Sequence, residues 1–244
     1  GGDSLNVTID ALPLTAFSVT DHSNSSYDLG ISVTKTGMYQ AAIRVWGITV
    51  IGSPVTLNIT SGAMVPTHSL VTFLSTATAG VTAQFAITAR DIYHNEREVG
   101  GDAFVVSCTS SVREVAGLVQ DTNNGKYLGL CVLTQSGPYA VAITALNPSK
   151  VRVHISGSPF SITVQPGPSR PQASSASGVG MTIATAGEWA TFQMVARDNF
   201  FNIQTQGTSS DFILKMTKFF RGTDVQVPAC PFKTAGASAV HAHP

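Results

Sequence analysis

The residues of this chain best suited to chemistry are few and scattered. Six histidines stand at His22, His68, His94, His154, His241 and His243. Only His241-x-His243 has a spacing that could chelate a metal ion, and no Cys or carboxylate lies beside it to complete a site. Asp91 and Asp198 suggest calcium, yet the several spaced carboxylates of a hard-cation cage are missing around both. Capping of a turn is the simpler role for each Asp. Gly178-x-Gly180 lacks the third glycine of a dinucleotide loop and precedes a strand-like run instead of a helix. No Ser or Cys sits in a local nucleophile signature. The expectation is a non-enzyme with no catalytic residues, no cofactor, no metal and no small-molecule substrate.

Composition narrows the classes further. The chain has 244 residues, of which 43% are hydrophobic and 11% charged. Soluble proteins carry about 25% charged residues, so Ser, Thr, Asn, Gln and Gly must supply much of the polar surface. Fourteen basic residues balance fourteen acidic ones, for a net charge of zero. That balance offers no electrostatic footprint for nucleic acid or an anionic membrane. No run of 18 apolar residues is present, so any membrane attachment is expected through parts outside this stretch.

The elements that hold these residues repeat. Gly1-Gly2-Asp3 returns as Gly100-Gly101-Asp102, and Asp21 with Tyr27 returns as Asp121 with Tyr127. Gly37-x-Tyr39 returns as Gly137-x-Tyr139, and Gly52-Ser53-Pro54 as Gly157-Ser158-Pro159. A second set joins the middle to the end: Phe85, Ala89-Arg90-Asp91 and Asn95 return as Phe192, Ala196-Arg197-Asp198 and Asn202. The unit is about a hundred residues long. The expected division is a C-terminal part of one repeat in 1–60, a complete repeat in 61–166 and an N-terminal part of another in 167–244. The chain therefore reads as a window on a longer array.

Within the complete unit, apolar residues alternate with polar ones. Phe85, Ile87 and Ala89 do so, as do Phe104, Val106 and Cys108, then Tyr139, Val141 and Ile143, then Phe160, Ile162 and Val164. Period-two alternation of aromatic and β-branched residues predicts half-buried strands. Asn123-Asn124-Gly125, Ser136-Gly137-Pro138, Asn147-Pro148 and Pro166-Gly167-Pro168 supply the turns. No stretch carries a helical stripe. The fold class is all-β, with about seven strands per unit in an antiparallel immunoglobulin-like sandwich.

The middle unit strings Ala89-Arg90-Asp91-x-x-x-Asn95, Gly100-Gly101-Asp102-x-Phe104, Asn124-Gly125-x-Tyr127, Gly137-x-Tyr139 and Gly157-Ser158-Pro159-Phe160 in order. In order and spacing it resembles the filamin-type (ABP280) immunoglobulin repeat, and the flanking parts resemble the corresponding portions. His94 departs from the family's usual Gly before the Asn, and the last copy has Phe201 there. In the first copy Val55 replaces the Phe after Ser-Pro. The motifs read as requirements of the fold, not as chemistry.

The resemblance carries further expectations. It places Cys108 on strand C and Cys131 on strand E, in opposite sheets and facing the core, where the first copy has Ile9 and Ile31. Two readings stand side by side: a cross-core disulfide, or two buried thiols packed as small hydrophobes. Cys230 has no evident partner. Filamin repeats take partner peptides by strand addition in the groove between strands C and D, which here implies an edge formed by Phe104, Val106, Cys108, Val112 and Leu118. Sequons occur at Asn6 and Asn58, both on strands, and at Asn24 in a polar loop. Filamins proper are cytoplasmic actin crosslinkers, but such repeats also occur in surface proteins. Low charge, sequons and a possible disulfide favour an extracellular or cell-surface structural and adhesive array with protein partners. The alternative is a cytoplasmic, cytoskeletal or ciliary scaffold that binds peptides at strands C and D.

Overall fold

The computed structural model describes the backbone of residues 5–9, 16–205, 214, 217–220, 223–226, 233–235 and 239–241, and the side chains of 18–205 and 214. Strands dominate, as the alternation predicts. The early ones are β1 (Leu5–Ile9), β2 (Ala16–Asp21), β3 (Tyr27–Ser32), β4 (Gly37–Val45), β5 (Ile48–Thr49) and β6 (Val55–Ile59). There follow β7 (Leu70–Phe73), β8 (Thr76–Thr78), β9 (Thr82–Thr88), β10 (Phe104–Thr109), β11 (Glu114–Ala116), β12 (Leu118–Asp121), β13 (Lys126–Val132), β14 (Gly137–Leu146), β15 (Arg152–His154) and β16 (Phe160–Gln165). The last are β17 (Ser175–Ser177), β18 (Thr191–Val195), β19 (Thr217–Phe220), β20 (Thr223–Gln226), β21 (Lys233–Ala235) and β22 (Ala239–His241). Single 3-10 turns form at Pro66–His68 and Val179–Met181. Among the described residues no helix is long and apolar enough to cross a membrane.

The chain divides into two compact units. The first comprises Gly1–Leu74, Gln84–Cys131 and Ala140–Phe160; the second comprises Ser75–Ala83, Val132–Tyr139 and Ser161–Pro244. In the first unit, β10 pairs antiparallel with β14 from Phe104↔Ala145 to Thr109↔Ala140. The opposing sheet runs β12-β13-β9-β7. Phe85, Ile87, Val106, Cys108, Tyr127, Cys131, Val141 and Ile143 are buried. They are the inward positions of the predicted alternation, so the period-two pattern does place the core. Phe160 stacks on Phe73 at 3.8 Å between centroids and meets Phe85 edge-on at 5.7 Å, both favoured aromatic geometries. Residues 5–59 contribute β1-β4-β5 with β6 on β4, and a β2-β3 hairpin. In the second unit β8 runs parallel to β16, through Thr163↔Thr76 to Gln165↔Thr78. Leu133, Tyr139, Ile162 and Val164 are buried there.

The motif glycines and aspartates fix the turns. Asp121 Oδ1 accepts from Asn123 N–H at 2.7 Å, and Oδ2 accepts from Gly101 N–H at 2.7 Å. Asp102 then holds the Tyr127 hydroxyl, which donates to Oδ2 at 2.9 Å, and Arg97 Nε at 3.0 Å. Burial, with the Asp102 and Asp121 carboxylates adding to it, pushes the Tyr127 phenol up to about 12. Gly125 has φ +73°, and a Cβ there would lie 2.0 Å from the Arg97 carbonyl oxygen. Only glycine fits that turn. Ser53 and Ser158 fix the entries to β6 and β16. Their hydroxyls accept from Ile43 N–H at 2.7 Å and Ile143 N–H at 2.8 Å, just before cis Ser–Pro bonds that lead into β6 and β16.

Candidate functional site: a partner edge and a repeated joint

The expected partner edge centres on β10. Phe104, Val106 and Cys108 are 6%, 0% and 0% exposed, so their side chains belong to the core. Val112 and Leu118 are exposed at 70% and 74%. One edge of β10 is taken by β14. The other pairs with β11 through Ser107↔Ala116, Cys108↔Val115 and Thr109↔Glu114. Gly117 N–H continues that pairing by donating to the Val106 carbonyl at 2.8 Å. An incoming strand would have to displace 114–117 or pair with the outer side of β11.

Cys108 and Cys131 are brought together. Both are buried, and their thiols are close enough to hydrogen-bond across the two sheets. That bond and burial push the Cys108 thiol up. A Cβ on Gly117 would lie 2.9 Å from the Cys131 sulfur, which explains a glycine at this point of the wall. Of the sequons, Asn24 and Asn58 are exposed. Asn6 lies on β1 opposite Arg44, where only the backbone is described. Cys230 and His243 lie outside the described residues, and His241 is described only as part of the backbone of β22. Among the described residues no group of three or more His, Cys, Asp or Glu could hold a metal ion.

The most ordered polar cluster is built by the Asp-x-x-x-Asn motif, and it occurs twice. Asp91 is 2% exposed, and its Oδ1 accepts from Tyr93 N–H and Asn95 N–H, each at 2.9 Å. Its Oδ2 accepts from Asn95 Nδ2 at 2.9 Å and Gly62 N–H at 3.0 Å. Asp198 is 1% exposed and repeats the arrangement: Phe200 N–H at 2.8 Å, Asn202 N–H at 2.9 Å, Asn202 Nδ2 at 2.7 Å and Gly167 N–H at 2.8 Å. Burial opposes ionisation of both carboxyls, but these donors outweigh it and hold both below the ordinary carboxylate value. Each carboxylate is thus saturated by amide donors of the protein, which is a turn-forming role.

The residue before each Asn is left-handed: His94 has φ +63° and Phe201 has φ +64°. This is the physical reason for glycine at that position in the family, and both residues carry the strain of a side chain there. Stacking of His94 on His68 at 4.1 Å accompanies it in the first case. Phe201 is 65% exposed. Phe201→Gly is therefore expected to stabilise the chain by about 1 kcal/mol, read as a higher melting temperature for the variant than for the parent.

The sequence marks Asn95 and Asn202 only as the recurring ends of the Asp-x-x-x-Asn motif. In the structure each also reaches a turn well upstream, 61 residues away for Asn95 and 68 for Asn202. Asn95 Nδ2 donates to the Thr34 carbonyl at 2.8 Å, and its Oδ1 accepts from Thr36 N–H at 3.3 Å. Asn202 Nδ2 donates to the Thr134 carbonyl at 2.8 Å, and its Oδ1 accepts from Ser136 N–H at 2.8 Å. The intervening glycine is held from a second side: Arg97 Nη1 donates to the Gly62 carbonyl and Gln204 Nε2 to the Gly167 carbonyl, both at 2.6 Å. The signal available in sequence was the recurrence of a polar pair at fixed spacing beside buried strands.

No curated protein matches the chain. Among solved structures, the adhesin FdeC of Escherichia coli is similar with a TM-score of 0.61 at 15% identity, the alignment covering 99% of this chain and 75% of that one. InvD of Yersinia pseudotuberculosis is similar with a TM-score of 0.51 at 17% identity, covering 83% of this chain and 62% of InvD. At these identities the likeness is one of fold. The Filamin/ABP280 repeat family model matches residues 64–161, which contain the first Asp-x-x-x-Asn loop, the Gly-Gly-Asp turn and the Ser-Pro entry to the last strand. That segment, less than half of the chain, is similar to the Filamin/ABP280 repeat.

Proposed function

We propose that the chain is a non-catalytic structural and adhesive array of a cell-surface or extracellular protein, with repeats divided at 1–60, 61–166 and 167–244. It acts as a spacer and as a surface for protein partners. The observation that carries this reading is the joint: the same hydrogen-bonded network forms twice, a repeat length apart, on side chains with no other chemistry to perform. The similarity of fold to an Escherichia coli adhesin supports the assignment to the cell surface. So do the exposure of Asn24 and Asn58 and the juxtaposition of Cys108 and Cys131.

The test is the mass of the natively isolated protein before and after glycosidase, with peptide mapping. Sugar at Asn24 and Asn58 is the expected result. Unmodified asparagines at all three sequons, together with free thiols at Cys108 and Cys131, would overturn the extracellular assignment and leave an intracellular scaffold.

A further inference from the structure

We infer that Asp-x-x-x-Asn is a repeat-to-repeat latch whose partner is the strand-connecting turn of the preceding repeat. The inference rests on reading the chain as consecutive repeats. The two halves of the motif divide the work. The carboxylate folds the loop and takes the N–H of the linker glycine, Gly62 or Gly167. The Asn amide then reads the upstream turn, giving a proton to a carbonyl and taking one from the N–H two residues later.

That pattern selects the side chain. Asn95 and Asn202 are 9% and 8% exposed, so every polar atom they bury needs a partner. The Nδ2 group faces two acceptors, a turn carbonyl and the Asp carboxylate, and the Oδ1 atom faces a donor. Only a primary amide offers two donors and an acceptor in this plane. An Asp would set a carboxylate against two oxygens. A Ser or Thr hydroxyl has one proton and a shorter reach. The partner is equally defined: a turn that leaves one carbonyl and the N–H two residues on without intrastrand bonds. Thr34 with Thr36 and Thr134 with Ser136 meet that requirement in successive turns before β4 and β14. The linker glycine is pinned between Asp and Arg97, or between Asp and Gln204, so the connection itself is part of the latch. The second joint is the tighter at the turn N–H, 2.8 Å against 3.3 Å.

The experiment is amide hydrogen exchange on the whole 244-residue chain, comparing the parent with Asn95→Ala, Asn202→Ala and Asn202→Asp. Asn202→Ala is expected to speed exchange at Ser136 by about tenfold, the loss of one buried hydrogen bond, and to leave Thr36 unchanged. Asn95→Ala is expected to do the reverse, with a smaller change. Phe200 and Tyr93 amides, bound to the Asp carboxylates within each loop, should stay protected. Asn202→Asp should be worse than Ala at neutral pH and recover as the pH falls through the carboxylate range. Unchanged exchange at Ser136 in Asn202→Ala would overturn the latch. So would exposure of the Phe200 amide to the same extent as Ser136, since the Asn would then shape only its own loop. Neither result bears on the sequons or the cysteines, so failure of the latch and failure of the extracellular reading are distinguishable.

Discussion

Asp91→Ala should be among the most destabilising single substitutions in the segment that matches the Filamin/ABP280 repeat, costing at least about 3 kcal/mol. Four donors converge on this carboxylate, and three of them are backbone N–H groups that water does not reach once the loop is closed. Alanine leaves the three backbone donors without a partner and Asn95 Nδ2 with only the Thr34 carbonyl, and an orphaned buried donor costs about 1–3 kcal/mol. Partial relaxation of the loop returns some of that. For a domain of about a hundred residues, each kcal/mol moves the melting temperature by about 4–8 °C, so the shift in a thermal melt is large. Asp91→Asn should be milder, because its oxygen can still accept from Tyr93 and Asn95 while its NH2 group clashes with the Gly62 and Asn95 donors. Chemical denaturation of the three proteins checks the order.

The same carboxylates give stability a pH dependence. Both Asp91 and Asp198 are held below their ordinary value in the folded chain, burial being outweighed by hydrogen bonds. A depressed folded value means that the unfolded chain binds the proton more readily. The contribution is therefore complete above about pH 4, the unfolded carboxyl range, and is lost as the pH falls through the lower folded values. In Asp91→Asn the part of this acid dependence that belongs to Asp91 should vanish. An acid transition identical in parent and variant would assign it to other groups.

These expectations show where the sequence was readable and where it stopped. Period-two alternation located Phe85, Val106, Val141 and Ile143 correctly in the core, because a strand's side chains have only two directions to choose between. The Asp91 turn was equally legible, since an Asp accepting from the N–H groups just after it is a local motif. The joint was not. Asn95 and Thr34 are separated by 61 positions, and no local rule links them. Repetition showed that the pair recurs but not what it touches. The pairing of β11 on β10 was hidden for a different reason. The register of β11 against β10 depends on a short hairpin closed by Ser110 N–H to the Arg113 carbonyl at 2.9 Å, and strands of three residues leave almost no periodic signal.

Reduction of a Cys108–Cys131 disulfide is the other large effect expected. The two residues stand on β10 and β13, in facing sheets, with their sulfurs adjacent. The corresponding positions of the first repeat are Ile9 on β1 and Ile31 on β3. There too the strands belong to different sheets, β1 with β4 and β3 with β2. Isoleucines thus stand in sequence where Cys108 and Cys131 stand. Their shared hydrogen bond pushes the Cys108 thiol up and the Cys131 thiol down. The cross-link is expected to form with the two thiols passing two electrons and two protons to a small-molecule or protein disulfide, which is reduced to two thiols. The bond closes a loop of about 22 residues and is expected to contribute about 3 kcal/mol. Protein isolated under alkylating conditions should be lighter than the dithiol form by two hydrogens. Its melting temperature should fall on reduction by more than about 10 °C, and a Cys108→Ala, Cys131→Val double variant should ignore the reductant. Three thiols titratable on unfolding the unreduced native protein, Cys230 with Cys108 and Cys131, in place of the one expected, would remove the cross-link. The sandwich would then be held by its aromatic cluster of Phe73, Phe85 and Phe160, and its stability would be indifferent to redox state.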